Sequence, residues 1–550
     1  MAYMDHATAQ LILANFLERL VYDEHIQRYR LEGVVGTKEV EALEYFTGVS
    51  ANADTVDVEQ DTAPHRVPAN ARYRQVTLVL NSLDAQPDEF NYMCLDFGTA
   101  LSKACATSGD DRDIVDLPLG RLAQDPNGVY PVTSSVFITE DRIWFGPQAV
   151  NKSVSLNDPS RKRIDSPKQE MSQGNFSGLF EERLTDDYNP SGQPFSKADV
   201  ILLFLGFLTF LVGKSLEEKG HNKYVLRRFA RPSWSQDRAE WANEALENML
   251  AQAQILADTF GDEWLEGLHP MDAYQAVKQV KACNKIPSQL IWEPVLEAAA
   301  AANSALRRGS PYRSVYAVID VGAGTSDFGI FYCVEPKGGS LRIAEIKGGH
   351  VVVRQAGDRI DKLVMDNILE KERISETDQE YQRLRYSLER DRRVLKENLF
   401  NMSYIEHTLE NESTVRLTLS EFLQDERVRN FEQLLKKKFR DALNCLGSDW
   451  YNMVQGRIKI VFTGGGSELP MVRNLAEDIL TDVGTWRCEV VDGAPEWLST
   501  VSPELSDVFP QIAVALGGAQ EEVPDLKRAI SEPPTARRGE WTLPASYKGA

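Results

Sequence analysis

Apolar residues along this chain change spacing near residue 74, and the change divides it. Over 5–48 they recur at helical intervals (Leu11, Leu13, Phe16, Leu20, then Val40, Leu43 and Phe46), whereas 51–70 is polar and contains prolines. This predicts a helical extension and linker over 1–73. From Arg74 onward short β-rich runs take over, VTLVL at 76–80 and YMCLDF at 92–97. Two later stretches share one local design, a β-rich run that ends in Asp and enters a glycine turn: MCLDFGTALS at 93–102 and YAVIDVGAGTSDFGIF at 316–331. Alternating Phe328, Ile330 and Tyr332 carry the second stretch back along its partner, so a duplicated β-hairpin is expected. A third glycine turn, IKIVFTGGGSELP at 458–470, follows a β run and precedes a helical pattern, MVRNLAEDIL. Helical spacing also covers 239–260, 297–306 and 378–399, and the segment after Val523 has the proline, serine and charge content of a weakly ordered tail.

The run VILLFLGFLTFLV, Val200 to Val212, is apolar on every side. Thirteen residues fall short of the ~20 that a helix needs to cross a bilayer core, so a buried helix is expected. The N-terminal MAYMDHATAQ lacks the basic-then-apolar pattern of a secretory signal, and six scattered cysteines show no CxxC spacing. Both features fit a cytoplasmic protein with reduced thiols. A net charge of -21 repels nucleic acid and anionic membranes, so neither is expected as a partner.

The Asp-containing turns carry the chemistry. Successive backbone N–H groups of a tight glycine turn converge on phosphate oxygens, and glycine lets the phosphate approach closely. The same turns bring carboxylates (Asp96, Asp320, Asp327) and hydroxyls (Thr99, Thr325), hard oxygens that suit a hydrated Mg2+. One D-x-G-T turn is a common hairpin feature. Two such turns followed in order by a third glycine turn point to a nucleotide.

DFGTALS and DVGAGTSDFGI resemble the two phosphate loops, and VFTGGGSELP the adenosine loop, of the ATPase domain of DnaK-type seventy-kilodalton heat-shock chaperones. The similarity runs with interruptions from about residue 93 to about 520. It includes LIWEPVLEAAAAA at 290–302, AGDRIDKLVMDNIL at 356–369 and FPQIAVALGGA at 509–519. The resemblance implies an α/β, two-lobed actin-like ATPase fold of duplicated ribonuclease-H-like domains. The first lobe would span 74–315 with an enlarged region at 174–290, the second 316–520, and the tail 521–550. By the same resemblance Asp96 and Asp320 would organise a water-bound Mg2+, with Gly98, Thr99, Gly322, Ala323, Gly324 and Thr325 near the phosphates. Gly464, Gly465 and Gly466 would line the nucleoside, with Lys396 on the nucleotide as well. Lys168 would reach the γ-phosphate, while Glu293 and Asp327 would serve the attacking water. Glu293 before Pro294 also reads as a helix-start residue, and Lys168 as a solvated loop lysine. Ala323 stands where the family has glycine. Where the chaperones present a glutamate and an arginine to the adenine, Arg393 and Glu468 stand in the best-aligned positions.

The resemblance implies ATP or ADP with Mg2+ as ligands and a slow ATPase. The ~30 residues after Gly518 offer no β-sandwich for peptides, so no general peptide-binding site is expected. The leading expectation is a nucleotide switch acting on a dedicated protein partner, similar to truncated heat-shock-like proteins of bacteria. Small-molecule kinases and actin-like filament ATPases share the fold and remain alternatives.

Overall fold

The computed structural model describes residues 20–23 and 28–31 and, with gaps of one to seven residues, 76–534. Of the N-terminal unit, Met1–Tyr73, it describes two strands, β1 (Leu20–Asp23) and β2 (Arg28–Leu31), paired antiparallel with Leu20 opposite Leu31. Leu20, expected on a helix, is thus in a strand; the other expected helical positions lie outside the described residues. Arg74–Ala550 forms a second compact unit of mixed α/β structure.

One sheet holds β3 (Asp88–Asp96), β4 (Leu101–Ser108), β5 (Asp110–Asp116), β6 (Val132–Thr133), β7 (Val225–Arg231) and β8 (Val295–Leu296), in the order β8-β7-β3-β4-β5 with β6 on β4. A second, beside two smaller sheets of three and two strands, holds β9 (Ser314–Val321), β10 (Ser326–Val334), β11 (Arg342–Glu345), β12 (Val351–Val353), β13 (Arg457–Thr463), β14 (Ile479–Thr481) and β15 (Gly484–Val490), in the order β11-β10-β9-β13-β15-β14 with β12 on β10. Each large sheet is built on an antiparallel hairpin, β3–β4 or β9–β10, with a parallel strand beside its first member, β7 or β13. The apolar run 76–80 is not a strand but a leading segment tied down by Val79 N–H donating to Thr259 Oγ1 at 3.0 Å.

Helices flank both sheets: α1 (Pro167–Ser172), α2 (Lys197–Glu218), α3 (Ala239–Phe260), α4 (Pro270–Lys281), α5 (Glu297–Ala305), α6 (Gly357–Lys371), α7 (Tyr381–Met402), α8 (Glu426–Leu443) and α9 (Phe509–Gly518). The apolar run lies inside α2, which begins earlier than hydropathy suggests because Ser196 and Asp199 form a reciprocal capping box. With 22 residues α2 is long enough to span a bilayer, yet 89% of its most apolar window is buried in the protein. It packs on α3 and α4, and Gly206 leaves room for the Trp264 ring, which would stand 2.9 Å from an added Cβ. Beyond the third glycine turn the helix is only one turn long, Pro470–Arg473, and Ile479–Thr481 belongs to a strand instead of the expected helix.

α5 and α9 cross between the sheets. The alanine run of α5 permits near backbone contact there: a Cβ on Gly517 would lie 1.8 Å from the Ala300 carbonyl oxygen, and Asn303 Nδ2 donates to Gly517 O at 2.9 Å. Part of the expected loose tail is docked. Ile530 pairs with Ile346 in a parallel bridge, and Trp450 Nε1 donates to Ser531 O at 3.2 Å.

Candidate functional site

A cavity of about 460 Å3 opens where the β3–β4 turn, the β9–β10 turn and the turn after β13 converge. That size suits a small-molecule ligand. The first two turns touch: a Cβ on Gly324 would lie 3.3 Å from Thr99 Oγ1. The β9–β10 turn is closed by Gly322 N–H donating to Thr325 O at 3.0 Å, and its outer carbonyls accept from the first N–H groups of α6. The third turn lies on the end of β9, with Gly466 N–H donating to Val321 O at 2.8 Å and Gly464 N–H to Pro510 O at 2.7 Å. Gly464 has φ +84°, and a Cβ there would be 2.4 Å from Val321 O and 2.5 Å from Asp320 Oδ1. Only glycine fits that position without displacing the strand end.

The cavity wall carries Asp96, Gly98, Thr99, Lys168, Asp320, Gly322, Ala323, Thr325, Lys396 and Gly464 to Gly466, all residues expected from the sequence, together with Arg393 and Glu468 at its outer part. Gly324 lies in the contact between turns, and Asp327 lies behind the wall, opposite Asp320 in the β9–β10 register. Glu293 is not at the cavity. Its side chain is 60% exposed and reaches only toward Arg228, at 3.8 Å. The carboxylate at the site is Glu297, four residues on. The short strand β8 pairs with β7 and turns the chain first, so α5 starts at Glu297 and aims that residue inward.

Lys168 is buried and donates to Glu297, so it is not a solvated loop lysine. Ser166 in the left-handed region, φ 65°, turns the chain into α1 and presents the lysine. A second lysine, Lys103, partly buried, stands opposite Asp96 across the β3–β4 hairpin and contacts its Oδ2 at 2.9 Å. Sequence reasoning missed it, although a lone lysine in the run LSKACA was a signal. Lys396 pairs with Asp361 on α6 at 2.7 Å. Two long-range contacts join segments 161–169 and 358–386: Gln169 Nε2 donates to Asp358 Oδ2 at 2.5 Å and Tyr386 Oη to Arg161 O at 2.9 Å.

No protein-family model matches the chain, and no curated protein matches it. The chemistry is therefore read from the electrostatics of the floor. Burial, then the charges of Glu297 and Asp96, push Asp320 up to about 7 against the pull of Lys103. Burial, then Glu297 and Asp320, push Asp327 well above its ordinary value. Burial lowers Lys168, but Glu297, Asp96 and Asp327 outweigh it and hold the ammonium above its ordinary value. Four carboxylates thus face two ammonium groups, an excess of acid that a divalent cation would relieve. Among the described residues no three His, Cys, Asp or Glu side chains are grouped to cage a metal directly. Hard oxygen donors without a cage suit Mg2+ held through waters and ligand phosphates.

Proposed function

We propose that this chain is an ATP-binding nucleotide switch of the actin and heat-shock-chaperone superfamily, hydrolysing ATP slowly and acting on a protein partner. Its two hairpin-built sheets are read as the two lobes. The observation that carries the proposal is the meeting of two Asp-Gly hairpins and a third glycine turn at one cavity, two of the turns in contact and the third seated on Asp320. Glycine turns offer N–H groups to phosphates, and Lys103 and Lys168 supply cations beside them. Asp96 and Asp320 would hold hydrated Mg2+, which would neutralise phosphate charge. Glu297 stands at the same floor, with Asp327 behind it, and would take the role of orienting water that the resemblance assigned in part to Glu293. Phosphoryl transfer needs this kind of positioned charge and water rather than a covalent nucleophile. The crossing of α5 and α9, where the alanines of α5 meet Gly517, is the natural pivot, and the contacts of Gln169 with Asp358 and of Tyr386 with Arg161 are the ones a nucleotide would tighten or release.

Mg-ATP should raise the unfolding temperature, since a ligand that binds only the folded state stabilises it by about 2.7 kcal/mol at a hundred times Kd. Differential scanning fluorimetry with isothermal titration calorimetry tests this. Asp320→Ala should lose the Mg2+-dependent part. An unshifted curve at millimolar Mg-ATP, with no heat of binding, would refute the proposal.

A further inference from the structure

Strand β11 ends its sheet, so its outer edge offers backbone N–H and C=O groups to whatever lies beside it. Among the described residues that neighbour is the tail. Ile530 N–H donates to Glu345 O and Lys347 N–H donates to Ile530 O, both at 2.9 Å, the two bonds of a parallel bridge between Ile530 and Ile346. Ile346 sends its own N–H the other way, to Ile330 O of β10. The next tail carbonyl, Ser531 O, accepts from Trp450 Nε1 at 3.2 Å, and the buried Trp450 ring packs edge to face on Tyr332 of β10, 5.5 Å between centroids. All three bonds go to the backbone of the tail. Its side chains are engaged at fewer places: Ile530 packs on the apolar core of this sheet, Ala529, Pro533 and Pro534 are half-buried, and Ser531 and Glu532 are exposed. Backbone bonds to a sheet edge, with one aliphatic side chain in a recess, are the features of strand addition, in which the bonds give affinity and the recess gives selectivity.

We propose that the outer edge of β11, with Trp450, is a docking site for an extended segment of a protein partner that places an aliphatic side chain where Ile530 lies, and that the tail segment 529–534 holds this site in cis. The inference does not depend on the nucleotide reading. Residues 519–528 tether the tail to α9, which gives it an effective concentration on the order of millimolar and lets a few contacts suffice. A free segment must therefore fit better than the tail to displace it. The tail of a second copy does not, because it replaces like with like. A partner segment does, since half-buried Ile530, Pro533 and Pro534 leave apolar surface for it to cover, and the two prolines have no N–H to give to the edge. The edge lies one strand from Asp327 on β10 and two from Asp320 on β9, so a docked partner extends the same sheet that carries the second glycine turn.

The test uses the full chain and a fluorescein-labelled peptide copying 528–534, RAISEPP, followed by anisotropy. Wild type should bind the peptide weakly, because the tail competes. Ile530→Asp puts a charge in the recess and frees the edge, and should bind the peptide at least roughly tenfold more tightly with the melting curve unchanged. The same peptide carrying Ile530→Asp should bind neither chain. Adding Trp450→Phe to Ile530→Asp removes one hydrogen-bond donor and should weaken binding about fivefold. If Ile530→Asp lowers the melting temperature sharply, Ile530→Ala replaces it in the same comparison. Hydrogen exchange on the wild type needs no variant: the Lys347 amide should open far faster than the amides shared by β9 and β10. Equal protection of Lys347 and those strands overturns the inference. So does peptide binding by the Ile530 variants no tighter than by wild type, or binding that ignores the Ile530→Asp change in the peptide. Dimers of the wild type that Ile530→Asp abolishes assign the site to the tail of a second copy and also overturn it.

Discussion

Gly464→Ala is the sharpest probe of how the third turn is built. Alanine at φ +84° carries a left-handed backbone cost of roughly 1–2 kcal/mol. The new methyl would also lie 2.4 Å from Val321 O and 2.5 Å from Asp320 Oδ1, both on the end of β9, so relief requires moving a central strand. Overpacking of that kind adds about 1–3 kcal/mol, for a total of about 2–5 kcal/mol. The adjacent Gly465 provides an internal control, since nothing stands within 4 Å of a Cβ there and its φ is not in the left-handed region. Gly465→Ala should change stability by no more than about 0.5 kcal/mol. Urea unfolding followed by tryptophan fluorescence compares the two, and calorimetry compares their ATP affinity. Because the displaced atoms include the Asp320 carboxylate, Gly464→Ala should also weaken Mg-ATP binding at least tenfold. Equal midpoints and equal affinities for the two variants would refute the idea that this turn is locked onto β9.

Further outcomes follow from the charges at the floor. Lys168→Ala leaves Glu297 buried among other acids and should cost about 3–5 kcal/mol, while Lys168→Met combined with Glu297→Gln should cost much less; additive losses in chemical denaturation would disprove the coupling. Asp320, raised to about 7 when folded against an ordinary 3.8, holds a proton that the unfolded chain releases, so its contribution to stability is greatest below 3.8 and is lost as pH rises through about 7. Asp320→Asn should therefore be more stable than wild type at pH 8 without ligand, with the gap closing toward pH 5, and a constant gap in thermal melts would contradict this. Glu297→Gln should lower ATP turnover at least tenfold with Glu293→Gln unchanged, and the reverse ranking would return the role to Glu293.

What could be read from the sequence was local. Each glycine turn sits within a dozen residues of its Asp or β run, so Asp96, Asp320 and Gly464 were assignable without a partner in view. Glu293 and Glu297 show where that stops. Both precede the alanine run, and the Glu-Pro pair marks a plausible helix start. Only the pairing of β8 with β7, set by residues some seventy positions upstream, moves the start to Glu297. Lys103 was recoverable by counting across the hairpin, since it is the residue opposite Asp96. The approach of His350 to Asp327, 3.8 Å from Nε2 to Oδ1, was not, because it depends on β12 adding to the edge of β10 away from β9. The docked tail was hidden for a different reason: one backbone bridge at Ile530 and one bond to Ser531 hold a segment whose composition otherwise reads as loose. The early start of α2 was legible in Ser196 and Asp199, whose spacing is that of a capping box.

The burial of α2 has a consequence for biosynthesis. Its covering helices α3 and α4 are encoded after it, so the nascent chain must extend from Glu218 to Lys281 before both can fold back. At about 5–20 residues per second, those sixty or so residues take on the order of 3–12 s. For that interval a helix with the length and hydropathy of a membrane segment lacks the cover of α3 and α4. Ribosome pausing within 219–281 would lengthen the exposure, and silent codon changes there become a route to aggregation that leaves the finished fold untouched.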